Sequence, residues 1–501
     1  MTKKVTGDLA RLWIIENRAG PGNPVSYESG MKAAKPDWPR GDPKVIYAAD
    51  PDRYGNFKIV DKIPGEDQPP TVTLSKRYDF NLSTLLNIRK KACDIDAQIR
   101  MGACSDPTDK ARGWEKILVL EGISPAGWSL GGDMNVFEPK DREVATDEMK
   151  FTGENLYEVV QMIYAEQAAS EIVQEVVAVV ICDNVSCGSC GNPSNGCQKV
   201  FAVTKSHGGS PGLPGEVIFS GTCGGTWDDE AISTLSPSED PSDAACVGEY
   251  LAVITNEGDS HEYKSLADIL AGAGSWTEVT GYNASGSPNA IFALSPQHIW
   301  VVGDVGYVYK ITDITAAVTA TNIQDAGDAT DEDLADIHGY DELNLVAVGA
   351  NNAVIHTTDG ESWVLVTGPR PAVALNCVFM RSATVWMVGA ADGTAWYTVD
   401  SGVTWVQVAF PGSGTGSVED IKFSTDTVGF MSHTTAAGKG RILRTIDGGN
   451  TWYVCPEGNT SVPAADSFNA IAVCAYDPNL VFAGGLADDA TDGILIKGYG
   501  A

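Results

Sequence analysis

From about residue 170 to its end the chain alternates short apolar runs with clusters of Gly, Asp, Ser and Thr. The runs are too short for helices and many carry the period-2 rhythm of strands packed on a core. Val418-Glu-Asp-Ile-Lys-Phe-Ser precedes Val428-Gly-Phe-Met-Ser, and Arg441-Ile-Leu-Arg-Thr follows. The same grammar restarts near residues 176, 244, 289, 333, 374, 418 and 468, which predicts seven four-stranded units. The last holds only three strand-like runs, so residues just before the first unit, such as 171–177, are expected to lend its outer strand. Closure of that kind removes the open edges of a sheet. The expected fold of residues 169–501 is a seven-bladed β-propeller.

Residues 1–168 lack this period. Strand-like runs include Ala10-Arg-Leu-Trp-Ile-Ile, Phe57-Lys-Ile-Val, Thr71-Val-Thr-Leu, Ala97-Gln-Ile-Arg-Met, Lys116-Ile-Leu-Val-Leu and Tyr157-Glu-Val-Val-Gln-Met-Ile-Tyr. Ser83-Thr-Leu-Leu-Asn-Ile-Arg-Lys-Lys-Ala92 reads as a helix with a basic C-terminal end, which suits its dipole. A Pro/Gly/Asp-rich stretch from about Gly30 to Tyr54 reads as a long loop. The chain is therefore expected to be mainly all-β: a β-sandwich or barrel with one α-helix and a long loop, followed by the propeller.

A turn signature punctuates the second part. Thr398-Val-Asp-Ser-Gly-Val-Thr-Trp405 and Thr445-Ile-Asp-Gly-Gly-Asn-Thr-Trp452 share it, and Thr357-Thr-Asp-Gly-Glu-Ser-Trp363 is one residue shorter. Ser220-Gly-Thr-Cys-Gly-Gly-Thr-Trp227 has Thr222 in place of Asp, and Gly274-Ser-Trp276 is a worn copy. An Asp here can fold back on backbone N–H groups, Gly supplies positive φ, and Trp packs between sheets. The pattern resembles the Asp-box (BNR) repeat of sialidases and other propellers, which sits on a rim turn away from the central site. Asp359, Trp363, Asp400, Trp405, Asp447, Trp452 and Trp227 are accordingly read as structural.

The formal charge of −32 is unevenly spread. Residues 1–170 carry 23 Lys+Arg against 26 Asp+Glu, and the remainder 11 against 40, a net of −29. The second part repels polyanions and has nothing to neutralise phosphates, which argues against nucleic-acid binding there. No run reaches the length of a membrane span, and the N-terminus lacks a secretory signal pattern.

The run Lys91-Ala-Cys-Asp-Ile-Asp-Ala-Gln-Ile-Arg-Met-Gly-Ala-Cys-Ser-Asp-Pro-Thr-Asp109 resembles the bacteriophage major tail (tail tube) proteins. Glu115-Lys-Ile-Leu-Val-Leu-Glu-Gly-Ile, the Trp128-Ser-Leu-Gly-Gly-Asp segment and Phe151-Thr-Gly-Glu-Asn-Leu-Tyr-Glu-Val-Val share the likeness, in the same order through most of 1–165. It implies a homo-oligomer: hexameric rings stacked into a tube that conducts DNA without sequence-specific binding, alongside other tail proteins. It places the protein in the virion, made in host cytoplasm without a signal peptide. By that analogy residues 30–68 form the ring-stacking loop. The propeller, which a minimal tail tube lacks, becomes an external decoration that could touch a host glycan; membrane insertion is not expected.

Cys182, Cys187, Cys190 and Cys197 cluster in a loop of the first blade. Their spacing fits two disulfides, a structural zinc site, an iron–sulfur cluster by count, or free thiols, and does not choose among them. No other cofactor is implied. Cys377 and Cys474 sit in apolar runs and read as buried thiols, and Cys223 could pair with Cys246.

Catalysis finds little support. A sialidase needs clustered arginines, and residues 171–501 contain only Arg370, Arg381, Arg441 and Arg444. No carboxylate pair stands out for glycoside hydrolysis. The alternative to a tail protein is a glycan- or protein-binding propeller, with Trp386, Trp396 or Tyr397 as stacking candidates against a reading of all three as blade core. A photosystem-type assembly factor resembles the C-terminal part alone and leaves residues 1–168 unexplained.

Overall fold

The computed structural model describes most of residues 162–501 with their side chains, apart from loop segments such as 184–197 and 207–213, and describes strands between Arg11 and Val160 as backbone. The chain divides into two compact units: residues 1–18 with 24–161, and residues 19–23 with 162–501.

In the first unit one five-stranded antiparallel sheet has the order Asn155–Val160, Lys116–Glu121, Ile95–Met101, Arg11–Glu16, Tyr27–Gly30. A four-stranded sheet has the order Ala33–Asp37, Thr71–Arg77, Thr146–Thr152, Ser124–Ser129. Lys44–Ala49 and Phe57–Ile63 form a separate hairpin. The stretch read as a long loop thus carries two strands. Pro36 lies within the first of them, opposite Val72. The expected helix at 83–92 lies outside the described residues, as do Cys93 and Cys104.

The second unit is a seven-bladed β-propeller. Blades 1 to 6 span residues 176–231, 241–280, 288–324, 334–365, 375–408 and 417–454, each a four-stranded antiparallel sheet in sequence order. Blade 7 takes three strands from residues 465–500, and Met162–Gln167 pairs with Gly493–Gly500 as its outer strand. The closing strand therefore lies upstream of the expected 171–177, and Val176–Asp183 is the innermost strand of blade 1. Gln167 then reaches blade 1, accepting from Trp227 Nε1 at 3.3 Å.

Alternation fails where packing is tightest. The second strands, such as Leu345–Gly349 and Trp386–Ala390, are buried at every position. Both faces of a blade meet a neighbour, so no residue of that strand can turn to water. The continuous apolar runs follow from this. Side chains of adjacent blades share one cluster, as Val346, Val348 and Val354 of blade 4 do with Val378, Trp386 and Trp405 of blade 5.

The Asp turns join the third and fourth strands. Asp400 Oδ1 accepts from Thr404 N at 2.8 Å and from Thr398 Oγ1 at 2.8 Å, while Gly402 N donates to Thr398 Oγ1 at 2.9 Å. Asp447 repeats this with Thr451 N at 2.8 Å and Thr445 Oγ1 at 2.9 Å. In the shorter turn Asp359 Oδ1 takes Glu361 N at 2.9 Å and Ser362 N at 2.7 Å. These donors, Ser362 N first, hold the Asp359 carboxyl well below the usual carboxylate range. Thr222 does the same work in blade 1 by accepting from Thr226 N at 2.8 Å. In blade 2 a short helix, Leu266–Ala271, replaces the turn, capped by Ser265. Gly402 and Gly449 have φ of 82° and 86°, which a side chain would strain. Trp363, Trp405 and Trp452 are each under a tenth exposed and pack against the preceding blade.

Trp405→Ala should lower propeller stability by about 3–5 kcal/mol, since a buried aromatic leaves a cavity. Asp400→Ala, which removes only turn hydrogen bonds, should cost about 1 kcal/mol. Urea unfolding of the two variants checks the order; equal losses would contradict it.

Candidate functional site

The innermost strands of all seven blades line a central cavity of about 460 Å³. Each strand has a bulge near its start, at Val177, Ser242, Asn289, Ala335, Asn376, Glu419 and Asn469. A bulge re-aims the side chains beside it. Here it turns polar groups from one blade onto the next.

The polar groups alternate around the ring. Asp243 of blade 2 accepts from Ala244 N at 2.8 Å and from Ile291 N of blade 3 at 3.0 Å. Asp336 of blade 4 accepts from Ile337 N at 2.8 Å and Val378 N of blade 5 at 2.7 Å. Asp420 of blade 6 accepts from Ile421 N at 2.7 Å and Ile471 N of blade 7 at 2.8 Å. Between them, Asn289 donates to Leu334 O at 3.0 Å, Asn376 to Val418 O at 3.1 Å and Asn469 to Val176 O at 3.2 Å. Every junction from blade 2 round to blade 1 is latched in this way. Blade 1 offers Val177 and Ala178 instead. There Cys182 forms a disulfide with Cys246, which ties the inner strands of blades 1 and 2.

Lys422 projects among the carboxylates, with Nζ 3.0 Å from Asp420 Oδ1. Burial disfavours its charge, but Asp420, Asp336 and Asp243 together outweigh that and hold the ammonium well above the ordinary lysine range. Burial pushes Asp243 up to about 6, and the backbone donors Ile291 and Ala244 pull against it. Burial pushes Asp336 up to about 7, against the pull of Lys422. His338, half-buried beside Phe292 and Phe379, is lowered to about 3 by burial and then by Lys422, so it stays neutral. Its Nδ1 accepts from Met380 N at 3.2 Å. Burial, then Asp420 and Asp336, also pushes the Cys377 thiol up, which keeps it from acting as a thiolate. The cavity thus combines a polar latch, one ammonium and a neutral imidazole. None of these pairs a nucleophile with a base.

Of the four clustered cysteines, only Cys182 is among the described residues. Cys182 is bonded to Cys246, so its sulfur cannot serve as a zinc thiolate. The pairing of Cys246 with Cys223 is likewise replaced, because the partner on the adjacent inner strand has a Cα only 5.6 Å away. Cys187, Cys190 and Cys197 lie outside the described residues. Cys377 is a buried free thiol, whereas Cys474 is disulfide-bonded. No group of three or more metal-ligating side chains occurs among the described residues.

The aromatics considered for sugar stacking serve the blades. Trp386 is fully buried and Tyr397 is 5% exposed, while Trp396 is half-buried with Nε1 on Thr394 Oγ1 at 3.0 Å. The described arginines are dispersed: Arg381 binds Gly448 O at 2.8 Å, and Arg444 binds Asn479 Oδ1 at 3.0 Å and lies over the Phe430 ring. Arg370 lies outside the described residues. Sequence reasoning missed Asp243, Asp336, Asp420 and Lys422. A signal existed, since Asp or Asn recurs near the start of six inner strands, but it is visible only once the bulges align them.

No family model matches the chain, and no curated protein sequence matches it. Solved structures share its propeller. YCF48 from Cyanidioschyzon merolae is 15% identical over 68% of this chain and 99% of its own, with a TM-score of 0.47. YCF48 bound to D1 peptide is 15% identical over 68% and 98%, with a TM-score of 0.50. An inactive virginiamycin B lyase from Staphylococcus aureus with quinupristin is 13% identical over 68% and 99%, with a TM-score of 0.49. At these identities the likeness is one of fold.

Two predictions follow from the ring. Between about pH 4 and 7 the folded state retains protons on Asp336 and Asp243 that the unfolded chain has released. Their contribution to stability is full below pH 4 and is lost as pH rises through the folded values of about 6 and 7. Asp336→Asn should flatten this fall in urea titrations across the window; an unchanged slope would exclude Asp336 as its source. Cys182→Ser opens a cross-link between residues 64 apart and should cost about 4 kcal/mol in the chain-entropy picture. A loss below about 1 kcal/mol in the same titration would mean that the blade 1–2 junction holds without the disulfide.

Proposed function

We propose that this is a non-catalytic structural protein of a phage virion. In this reading residues 1–168 assemble into stacked rings forming the tail tube, and the propeller is its external binding module. The observation that carries the reading is the ordered series of tail-tube-like segments, from Lys91–Asp109 through Phe151–Val160. The two antiparallel sheets of the first unit support it, as does the hairpin at 44–63, which falls within the segment assigned to ring stacking. The acid excess of the propeller suits a surface position, where it keeps a polymer soluble and unbundled.

The absence of a catalytic role rests on the chemistry of the central cavity, whose carboxylates are engaged by backbone donors. A binding role rests on the cavity itself and on the fold. YCF48, a neighbour in fold, is bound to D1 peptide, which supports a ligand-binding reading of the propeller. If the tube reading fails, a propeller that binds a peptide or glycan is the function that remains.

Electron microscopy of the purified full chain at high concentration tests the assembly. Tubes with a regular axial repeat and outward knobs are expected. Monomers or small closed oligomers at every concentration would overturn the tail-tube reading.

A further inference from the structure

Hydrogen-bonding capacity left unused on the lining of the central cavity alternates in kind from blade 3 to blade 7. Asn289 of blade 3 spends its amide hydrogens inside the wall, on Asp304 Oδ1 at 2.8 Å and Leu334 O at 3.0 Å. Asn376 of blade 5 gives its own to Val418 O at 3.1 Å and Glu419 Oε2 at 3.3 Å. Asn469 of blade 7 gives its own to Glu175 Oε1 at 2.6 Å and Val176 O at 3.2 Å. All three line the cavity, and their Oδ1 atoms receive no hydrogen bond from the described residues. Each is an open acceptor.

The blades between them carry donors. His338 of blade 4 accepts from Met380 N at Nδ1, which places its proton on Nε2. Burial and then Lys422 keep the ring neutral, so this tautomer holds. His338 lines the cavity, and its Nε2–H has no acceptor among the described residues. Lys422 of blade 6 meets one oxygen among them, Asp420 Oδ1 at 3.0 Å, which leaves two of its three N–H groups. His338 and Lys422 stand two residues beyond Asp336 and Asp420, on the same face of their strands and roughly 7 Å further along them.

An occupant must answer both kinds of group. An ammonium or guanidinium only donates, so it offers nothing to His338 or Lys422. A carboxylate only accepts, so it leaves the three amide oxygens unmatched and faces Asp243, Asp336 and Asp420. A hydroxyl donates and accepts at one atom. A compact ring bearing several hydroxyls therefore meets acceptors and donors that alternate around an axis. An extended peptide presents its N–H and C=O groups along two edges and reaches fewer of them at once. The cavity, about 460 Å³, lies in the small-molecule range of roughly 300–1,000 Å³. Phe292 adds an apolar ring to its lining, on which a C–H face can rest.

We infer that the central cavity binds a neutral sugar, with His338 and Lys422 donating to its hydroxyls and the amide oxygens of Asn289, Asn376 and Asn469 accepting from them. The inference rests on the reading of the propeller as a binding module and is independent of the tube.

Saturation-transfer NMR on the full chain tests it, with glucose, galactose, mannose and N-acetylglucosamine as probes and the tripeptide Gly-Ala-Gly for comparison. At least one sugar should receive saturation. His338→Phe, which puts a third phenyl ring between Phe292 and Phe379, should weaken its affinity about tenfold. In the natural sequence with isotope-labelled histidine, the Nε2 signal of His338 should move when that sugar is added. Sugar binding that neither moves this signal nor weakens in the variant would place the site elsewhere and overturn the inference. Saturation of the tripeptide alone would overturn it and leave the binding-module reading standing. No transfer to any probe would overturn it together with the cavity as a binding site. Should His338→Phe misfold, the histidine signal of the natural sequence still decides.

Discussion

A ring of seven sheets holds only if each innermost strand is fixed to the next, because a slip at one junction opens all the others. Here the fixing is done by a carboxylate or a carboxamide at a bulge. An Asp accepts an N–H of the following blade, and an Asn donates to a carbonyl of the following blade. The two devices are chemical complements, and they alternate. An alternation of two cannot close on an odd number, so one blade must break it. Blade 1 does, and its junction with blade 2 carries the covalent bond between Cys182 and Cys246. A disulfide needs no donor or acceptor at the bulge, which frees Val177 and Ala178 to be apolar.

The latch also sets the electrostatics at the centre of the disc. Three carboxylates lining one cavity would repel one another, and Lys422 is the cation that makes their closeness tolerable. Their oxygens are occupied by backbone donors. The polar cluster at the axis is therefore a fastening first and a lining for the cavity second.

Work is divided along the radius. Near the axis, hydrogen bonds set the spacing of the blades. Further out, apolar clusters shared by neighbouring blades supply most of the burial, and Trp363, Trp405 and Trp452 seal the rim. The Asp turns hold those tryptophans in place with bonds to Thr and backbone. Beyond the rim the propeller is acidic, with 40 Asp+Glu against 11 Lys+Arg in residues 171–501.

The repeat and the number of blades were legible in the sequence. A blade is a local unit of about forty residues, and its turn chemistry is written within eight consecutive positions. The uneven charge was equally plain. The tertiary structure decided what depends on closure. It took the closing strand from Met162–Gln167, because the free outer edge of blade 7 selects the segment whose register fits it. It paired Cys182 with Cys246, whose Cα atoms come within 5.6 Å only when blades 1 and 2 stand side by side. It gathered Asp243, Asp336, Asp420 and Lys422 from three blades into one cavity. Residues so far apart in the chain share no local pattern, and only the curvature of the ring brings them to a common axis.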